Sequence, residues 1–200
     1  MISVSDLFFE RYFEPVFEPV SFTVRTGFLL RVTGANGSGK TTLIRLLAGV
    51  LQPTGGSIQV HGDGVAHVGH LLAIKDDLSV TENLRFARDF RGSSGRSLTD
   101  VIQQVGLQRV RDQLARTLSA GQRKRCALAR LLINPADIWL LDEPYSNLDD
   151  EGCRLVDRLL EQHLTVGGAC IMATHGNHRP PLTQQFDLHL IKGGTEKCAA

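Results

Sequence analysis

Gly34-Ala35-Asn36-Gly37-Ser38-Gly39-Lys40-Thr41 sits between a compact apolar run, Phe28 to Thr33, and a segment with Leu43, Leu46 and Leu47 on one helical face. A strand, a glycine-rich loop and a helix in that order form a phosphate cradle. The eight residues satisfy G-x4-G-K-[ST] without exception. Glycines let the backbone N–H groups of the loop point inward at an anion. The helix that follows turns the positive end of its dipole to the same place. Gly34, Ala35, Asn36, Gly37, Ser38 and Gly39, with Lys40, Thr41 and Thr42, are therefore the candidate nucleotide residues. Lys40 reaches the β- and γ-phosphates in this reading, and Thr41 sets its hydroxyl on Mg²⁺.

A second segment supplies carboxylates. Ile138-Trp139-Leu140-Leu141 is a buried-strand pattern that runs into Asp142-Glu143. An Asp at the carboxyl edge of a sheet can hold Mg²⁺ through water beside Thr41. Glu143 points differently and can take a proton from an attacking water.

Around these anchors the chain reads as strands, then helices, then strands and helices again. Ile2 to Phe8, Val20 to Val24, Ser57 to Val60 and Val65 to Val68 are β-rich. Lys40 to Ala48 is helical, stopped by Gly49, Pro53, Gly55 and Gly56. Ser79-Val80-Thr81-Glu82 fits a capping box and opens a helix to about Phe90. A loop of Gly92, Ser93, Ser94 and Gly95 follows, then a helical pattern over Leu98 to Val105. Another helix begins at Ser119 and ends near Leu132. Helix near Glu151 to Gln162 and strand Ala169 to Ala173 complete the pattern. Pro180-Pro181 reads as loop, and Gly193 to Ala200 as a frayed end. Strands alternating with helices argue for a largely parallel sheet.

Leu118-Ser119-Ala120-Gly121-Gln122 precedes a helix, with Ser119 as a good N-cap. A helix start bearing a hydroxyl and a glycine is a second anion site. One nucleotide does not need two, so the second serves a partner's nucleotide. The order of motifs resembles the ATP-binding subunits of ABC transporters over nearly the whole chain. The phosphate loop resembles Walker A. Leu118 to Gln122 resembles the LSGGQ signature, with Ala120 in place of its first glycine. Asp142 and Glu143 match Walker B and the catalytic Glu, Ser146-Asn147-Leu148-Asp149 the D-loop, and Thr174-His175 the switch histidine. His70 falls where that family has the Q-loop glutamine, and an imidazole cannot copy both ends of an amide. The segment Gly69-His70-Leu71-Leu72-Ala73-Ile74-Lys75, with Leu78 and Glu82-Asn83-Leu84-Arg85-Phe86, resembles the haem exporter ATP-binding subunits of cytochrome c maturation, the CcmA family.

The resemblance implies an α/β fold. A P-loop NTPase core with a mostly parallel sheet carries an antiparallel β portion at the N-terminus and an inserted helical lobe. It implies one ATP-binding domain over 1–200, with 1–70 plus 133–200 as the ATPase core and 71–132 as the signature lobe. It implies ATP and Mg²⁺, with Thr41 and Asp142 holding the metal. A head-to-tail homodimer would sandwich two ATP molecules, Ser119, Gly121 and Gln122 facing the opposite nucleotide. Glu143 and His175 would be catalytic, the histidine bonding the γ-phosphate. An aromatic would stack on adenine; Tyr12 is the candidate, with Phe13 and Arg11 beside it. The partner would be an integral membrane permease, the place the cytoplasmic face of the inner membrane, and the activity ATP hydrolysis that powers haem export. Another small ABC exporter, or a non-transport ABC ATPase, is the alternative.

Composition sets the remaining bounds. Lys plus Arg number 22 against 21 Asp plus Glu, a formal charge of +1, so no basic footprint asks for nucleic acid. Of 200 residues 42% are hydrophobic, enough for a core, and no apolar run approaches the roughly 20 residues of a spanning helix. The N-terminus lacks the basic start and apolar run of a signal peptide. Cys126, Cys153, Cys170 and Cys198 form no CxxC pair and read as reduced thiols in a soluble cytosolic chain. His61, His67, His163, His178 and His189 have no metal spacing, so no direct haem binding is expected. Leu71 to Ile74 could face a membrane subunit or pack under the helical lobe. Arg123-Lys124-Arg125 reads as a solvated helix face.

Overall fold

A computed structural model describes residues 1–91, 95–134, 136–175 and 178–193. Gly92 to Ser94 of the expected loop, and the expected frayed end from 194 on with Cys198, lie outside the described residues. The elements in order are β1 (Ile2–Phe8), β2 (Glu10–Arg11), β3 (Glu14–Pro15), β4 (Val20–Val24), β5 (Leu29–Thr33), α1 (Lys40–Leu47), β6 (Gly55–Val60) and β7 (Val65–Val68). Then come α2 (Val80–Arg91), α3 (Leu98–Gln104), α4 (Ala120–Ile133), β8 (Ile138–Asp142), α5 (Asp150–Thr165), β9 (Ala169–Ala173) and β10 (Gln185–His189).

Five strands form a parallel sheet in the order β10-β5-β9-β8-β7. β8 and β9 are buried along their whole length, as strands covered on both faces must be. Alternation divides their side chains between two cores. Leu30, Val32, Ile138, Leu140, Ile171 and Ala173 face α1 and the antiparallel sheet β4-β1-β6. Leu29, Trp139, Leu141, Cys170 and Met172 face α4, α5 and the helical segment. The expected fold class, parallel core with antiparallel N-terminal strands and inserted helices, is borne out.

The capping box at Ser79 is present. Ser79 N–H donates to Glu82 Oε2 at 2.8 Å and Glu82 N–H to Ser79 Oγ at 3.2 Å. α2 and α3 pack on α4, and α4 reaches β7, so the helical segment is tied to the sheet through α4. Among the described residues no helix is long and apolar enough to cross a membrane.

The carboxyl ends of β5, β9 and β8 lie side by side, with Val32 opposite Ala173 and Ala173 opposite Asp142. Parallel sheets bind ligands just beyond that edge. The phosphate loop, Thr174-His175 and Glu143 each follow one of these three ends.

Candidate nucleotide site

The phosphate loop is a tight turn that only glycine can make at two points. Gly34 has φ +144°, and a Cβ there would lie 2.6 Å from the Leu190 carbonyl oxygen. Gly39 has φ +96°, and its Cβ would meet the Phe17 ring at 2.8 Å. Gly39 is the N-cap of α1 and offers no side-chain cap. The first N–H groups of α1 are thus left for an anion, as their dipole favours. Lys40 is buried, and its Nζ donates to the carbonyl oxygens of Gly34 and Ala35 at 2.8 and 2.9 Å. Ser38 Oγ is buried without a hydrogen-bond partner, and Thr41 and Thr42 are half-buried behind it.

Across the sheet edge, Asp142 is buried at the end of β8. Glu143 leaves the strand in the left-handed region, φ +51°, uncommon for a residue with a long side chain. Its backbone is held at both ends: its N–H donates to Ala173 O at 3.0 Å, and its carbonyl accepts from Lys124 Nζ at 2.7 Å. This bend brings Glu143 Oε1 to 2.6 Å from His175 Nδ1. The two residues expected to be catalytic are therefore in direct contact.

The signature is built on α4. Ser119 Oγ accepts from Gln122 N–H at 3.2 Å, and Gln122 Oε1 accepts from Ser119 N–H at 2.9 Å. This is a complete capping box. Gln122 therefore closes the helix start rather than reaching outward. The Ser119 hydroxyl, already an acceptor, keeps its own proton to donate, and the N–H groups of Ala120 and Gly121 remain. A Cβ on Gly121 would come within 3.1 Å of Asn147 O, so the signature glycine lets α4 approach the loop after Glu143. Among the described residues no hydrogen bond or ion pair joins Ser119, Gly121 or Gln122 to the phosphate loop; one chain does not unite them.

Tyr12 and Phe13 form the two-residue turn between β2 and β3, with φ +54° and +66°. Two left-handed residues make the turn that suits hairpin twist, a place normally given to Asn or Gly. Here two aromatics occupy it and stand 90% and 96% exposed. His70 is exposed, two residues beyond β7 at the same sheet edge.

The basic run on α4 is not a solvated face. Lys124 is buried on the apolar stripe that Leu128 and Leu131 continue. Burial lowers its pKa, and the Asp142 and Glu143 carboxylates push it back up. Arg123 pairs with Asp76 at 2.6 Å and donates to Ala115 O, while Arg125 pairs with Asp149 at 3.1 Å. The helical period would have flagged Lys124, because it falls seven residues before Leu131 on the buried stripe.

A second cluster carried no sequence signal. Asp157 on α5 accepts from Tyr145 Oη at 2.7 Å, and His178 Nε2 lies 3.0 and 3.1 Å from its two oxygens. The Tyr145 and His178 rings are 4.1 Å apart. Burial, then the Asp157 bond, raises the Tyr145 pKa, so its hydroxyl stays a donor. One carboxylate thus ties the segment after Glu143 to the segment after His175. His163 is a core histidine: its ring stacks on Trp139 at 3.9 Å, its Nε2 lies 3.2 Å from Ala169 O, and burial lowers its pKa. Cys126 and Cys170 are buried free thiols, Cys126 pushed up to about 11 by burial.

The family model for ABC transporters matches residues 17–146, a span that holds the phosphate loop, the signature and Glu143. The chain belongs to the ABC transporter family. Relatives of this ABC cassette include the cytochrome c biogenesis ATP-binding export protein CcmA of Xanthomonas axonopodis pv. citri, 46% identical over 90% of this chain and 89% of that protein. The protein of the same name from Nitrosococcus oceani is 44% identical over 80% of this chain and 79% of that one. Among solved structures, a dimeric bacterial ABC transporter cassette matches with a TM-score of 0.84 at 20% identity, covering 94% of each chain. A dimeric ATP-binding cassette bound to ADP and Pi in a post-hydrolysis state matches with a TM-score of 0.79 at 21% identity, covering 88% of each chain.

Proposed function

We propose that this ABC cassette is the ATP-hydrolysing subunit of the haem exporter of cytochrome c maturation, working as a homodimer on the cytoplasmic face of the inner membrane. Hydrolysis rests on one observation, the 2.6 Å contact between Glu143 and His175 beside an uncapped helix start. The export assignment is supported by the 46% identity to CcmA proteins over 90% of the chain.

The mechanism follows from the side chains. Gly34 to Gly39 and the start of α1 hold the β- and γ-phosphates, and Lys40 turns from its loop carbonyls to them. The Glu143 carboxylate takes the proton of the attacking water. His175 donates to Glu143 from Nδ1, and a doubly protonated ring can also donate from Nε2 to a γ-phosphate oxygen. Lys124, buried under the pair, offsets the charge of Asp142 and Glu143. The Thr41 hydroxyl and Asp142 carboxylate are the hard oxygen donors that Mg²⁺ prefers, and they would hold it. Mg²⁺ held there would supply charge neutralisation for the phosphates. Ser119, with the N–H groups of Ala120 and Gly121, meets the γ-phosphate bound by the other subunit. Residues 71–132 act as the signature lobe and 1–70 with 133–200 as the core, so ATP bridging the two subunits becomes a shift between open and closed dimers. His70 reaches the γ-phosphate side from the edge of the sheet.

Tyr12, with Phe13 beside it, stacks on adenine. Strain held at an exposed tip points to use there. Replacing both by Ala is expected to raise KM for ATP about tenfold with kcat unchanged, the signature of lost uniform binding. An unchanged KM removes the stacking role.

The permease docks on the face between Leu71 and α2. Leu71 is 79% and Phe90 77% exposed, and the Phe86 and Phe90 rings stack at 6.1 Å. Leu72 and Ile74 pack inward instead, so the apolar segment is split between both expected roles. Asn83 fixes its shape through bonds to Lys75, Leu78 and Ser79, and Arg130 through one to Leu72 O. Purified with a tag from solubilised membranes, the protein is expected to bring down a multi-span permease with cytochrome c maturation components. Leu71→Asp with Phe90→Asp is expected to lose them while still binding ATP. A different permease discards the haem assignment, and none discards the transport reading.

A further inference from the structure

Beside His175 and Gly34, the first residue of the phosphate loop, lies a polar cavity of about 410 Å³, lined among others by Arg31, Thr33, Arg179 and Asp187. By strand alternation Arg31 and Thr33 share the face of Leu29, opposite the α1 side. Arg31 stands in the middle of β5, between β9 and β10, where flanking residues are apolar and buried. It is 7% exposed. A guanidinium carries five donors and stays charged at any ordinary pH. Among the described residues it has one ion pair, Nη1 to Asp187 Oδ1 at 3.3 Å, and the Asp187 side chain is 42% exposed. Its Nε is buried with no hydrogen-bond partner. A buried charge is normally paired and fully bonded; Arg31 is paired, but its Nε is left unbonded.

The cavity also carries the exposed guanidinium of Arg179. Two guanidiniums stand against one carboxylate among the described residues of its wall, so the cavity is electropositive. The planar fork of Arg matches phosphate and carboxylate oxygens two at a time. An apolar guest would leave Arg31 unmet, and a cation would be repelled.

We infer that this cavity is a second oxyanion site, taking inorganic phosphate between Arg31 and Arg179, next to His175 and the start of the phosphate loop at Gly34. It deepens the ATPase reading, since the phosphate that hydrolysis frees is formed beside His175. Phosphate arriving there is held by the two guanidiniums rather than by Lys40 and the N–H groups of α1, which can then take the next nucleotide.

The test uses the full chain saturated with Mg²⁺ and a non-hydrolysable ATP analogue, so that the phosphate loop is filled. Radiolabelled inorganic phosphate is then titrated by equilibrium dialysis. One further phosphate per chain is expected. Arg179→Ala, an exposed position that does not endanger the fold, is expected to weaken it about tenfold, the worth of one charge-assisted contact. Arg31→Leu, with an unchanged melting temperature as control, is expected to abolish it. No phosphate above background in the analogue-filled protein overturns the proposal, and so does equal binding by Arg179→Ala. Failure of the analogue itself to bind is a separate result, and overturns the ATPase reading instead.

Discussion

Replacing Glu143 by Gln is expected to leave ATP binding intact and to slow hydrolysis roughly 10²- to 10⁴-fold, the usual worth of a positioned general base. The substitution keeps size and removes the proton acceptor. It also leaves the loop where it is, because Glu143 is held by its backbone: N–H to Ala173 O and carbonyl to Lys124 Nζ. With binding preserved and turnover blocked, the variant accumulates as an ATP-bound dimer. Phosphate release and light scattering with Mg²⁺ and ATP check both halves. Normal turnover, with monomer only, removes Glu143 from its role. His175 loses a charged acceptor in this variant, so its ring is freer to reorient; the dimer yield reports whether that matters for closure.

Lys40→Ala is expected to lose tight ATP binding altogether, and with it turnover. Two charge-assisted hydrogen bonds to phosphate oxygens contribute about 1.5–3 kcal/mol each, which multiplies to a loss of roughly 10²–10⁴ in affinity. The ammonium also braces the loop through Gly34 O and Ala35 O, so the loop that remains is a looser cradle. A fluorescent ATP analogue titrated into the variant, with the melting temperature as control, gives the answer. Wild-type affinity there would sink the phosphate-loop assignment.

The parts of the site that were legible in the sequence are those whose chemistry is local. The phosphate loop is a continuous stretch in which spacing and residue type are both dictated by one anion. β8 ends in carboxylates after an unbroken apolar run, and β9 delivers Thr174-His175 in the same way. What escaped is what folding brings together from afar. β10 has a mixed pattern, two of its five residues exposed at a sheet edge, and its parallel pairing with β5 is set by the sheet rather than by its own residues. The β2–β3 turn has none of the usual Asn or Gly signal, so the hairpin that presents Tyr12 was invisible. Arg125 looks like a surface residue until α4 is placed against Asp149. Asp157 gathers Tyr145 and His178 from two separate loops, and no spacing rule links the three.

The tip of the β2–β3 hairpin sets exposed ring surface against backbone ease. Asn-Gly at positions 12 and 13 would relax both left-handed residues and remove two rings from water, so a lineage selected for heat resistance alone would drift to it. Tyr12 and Phe13 stand where the backbone disfavours them and no neighbour shelters them. Such a tip gives up stability to hold two rings out of the fold.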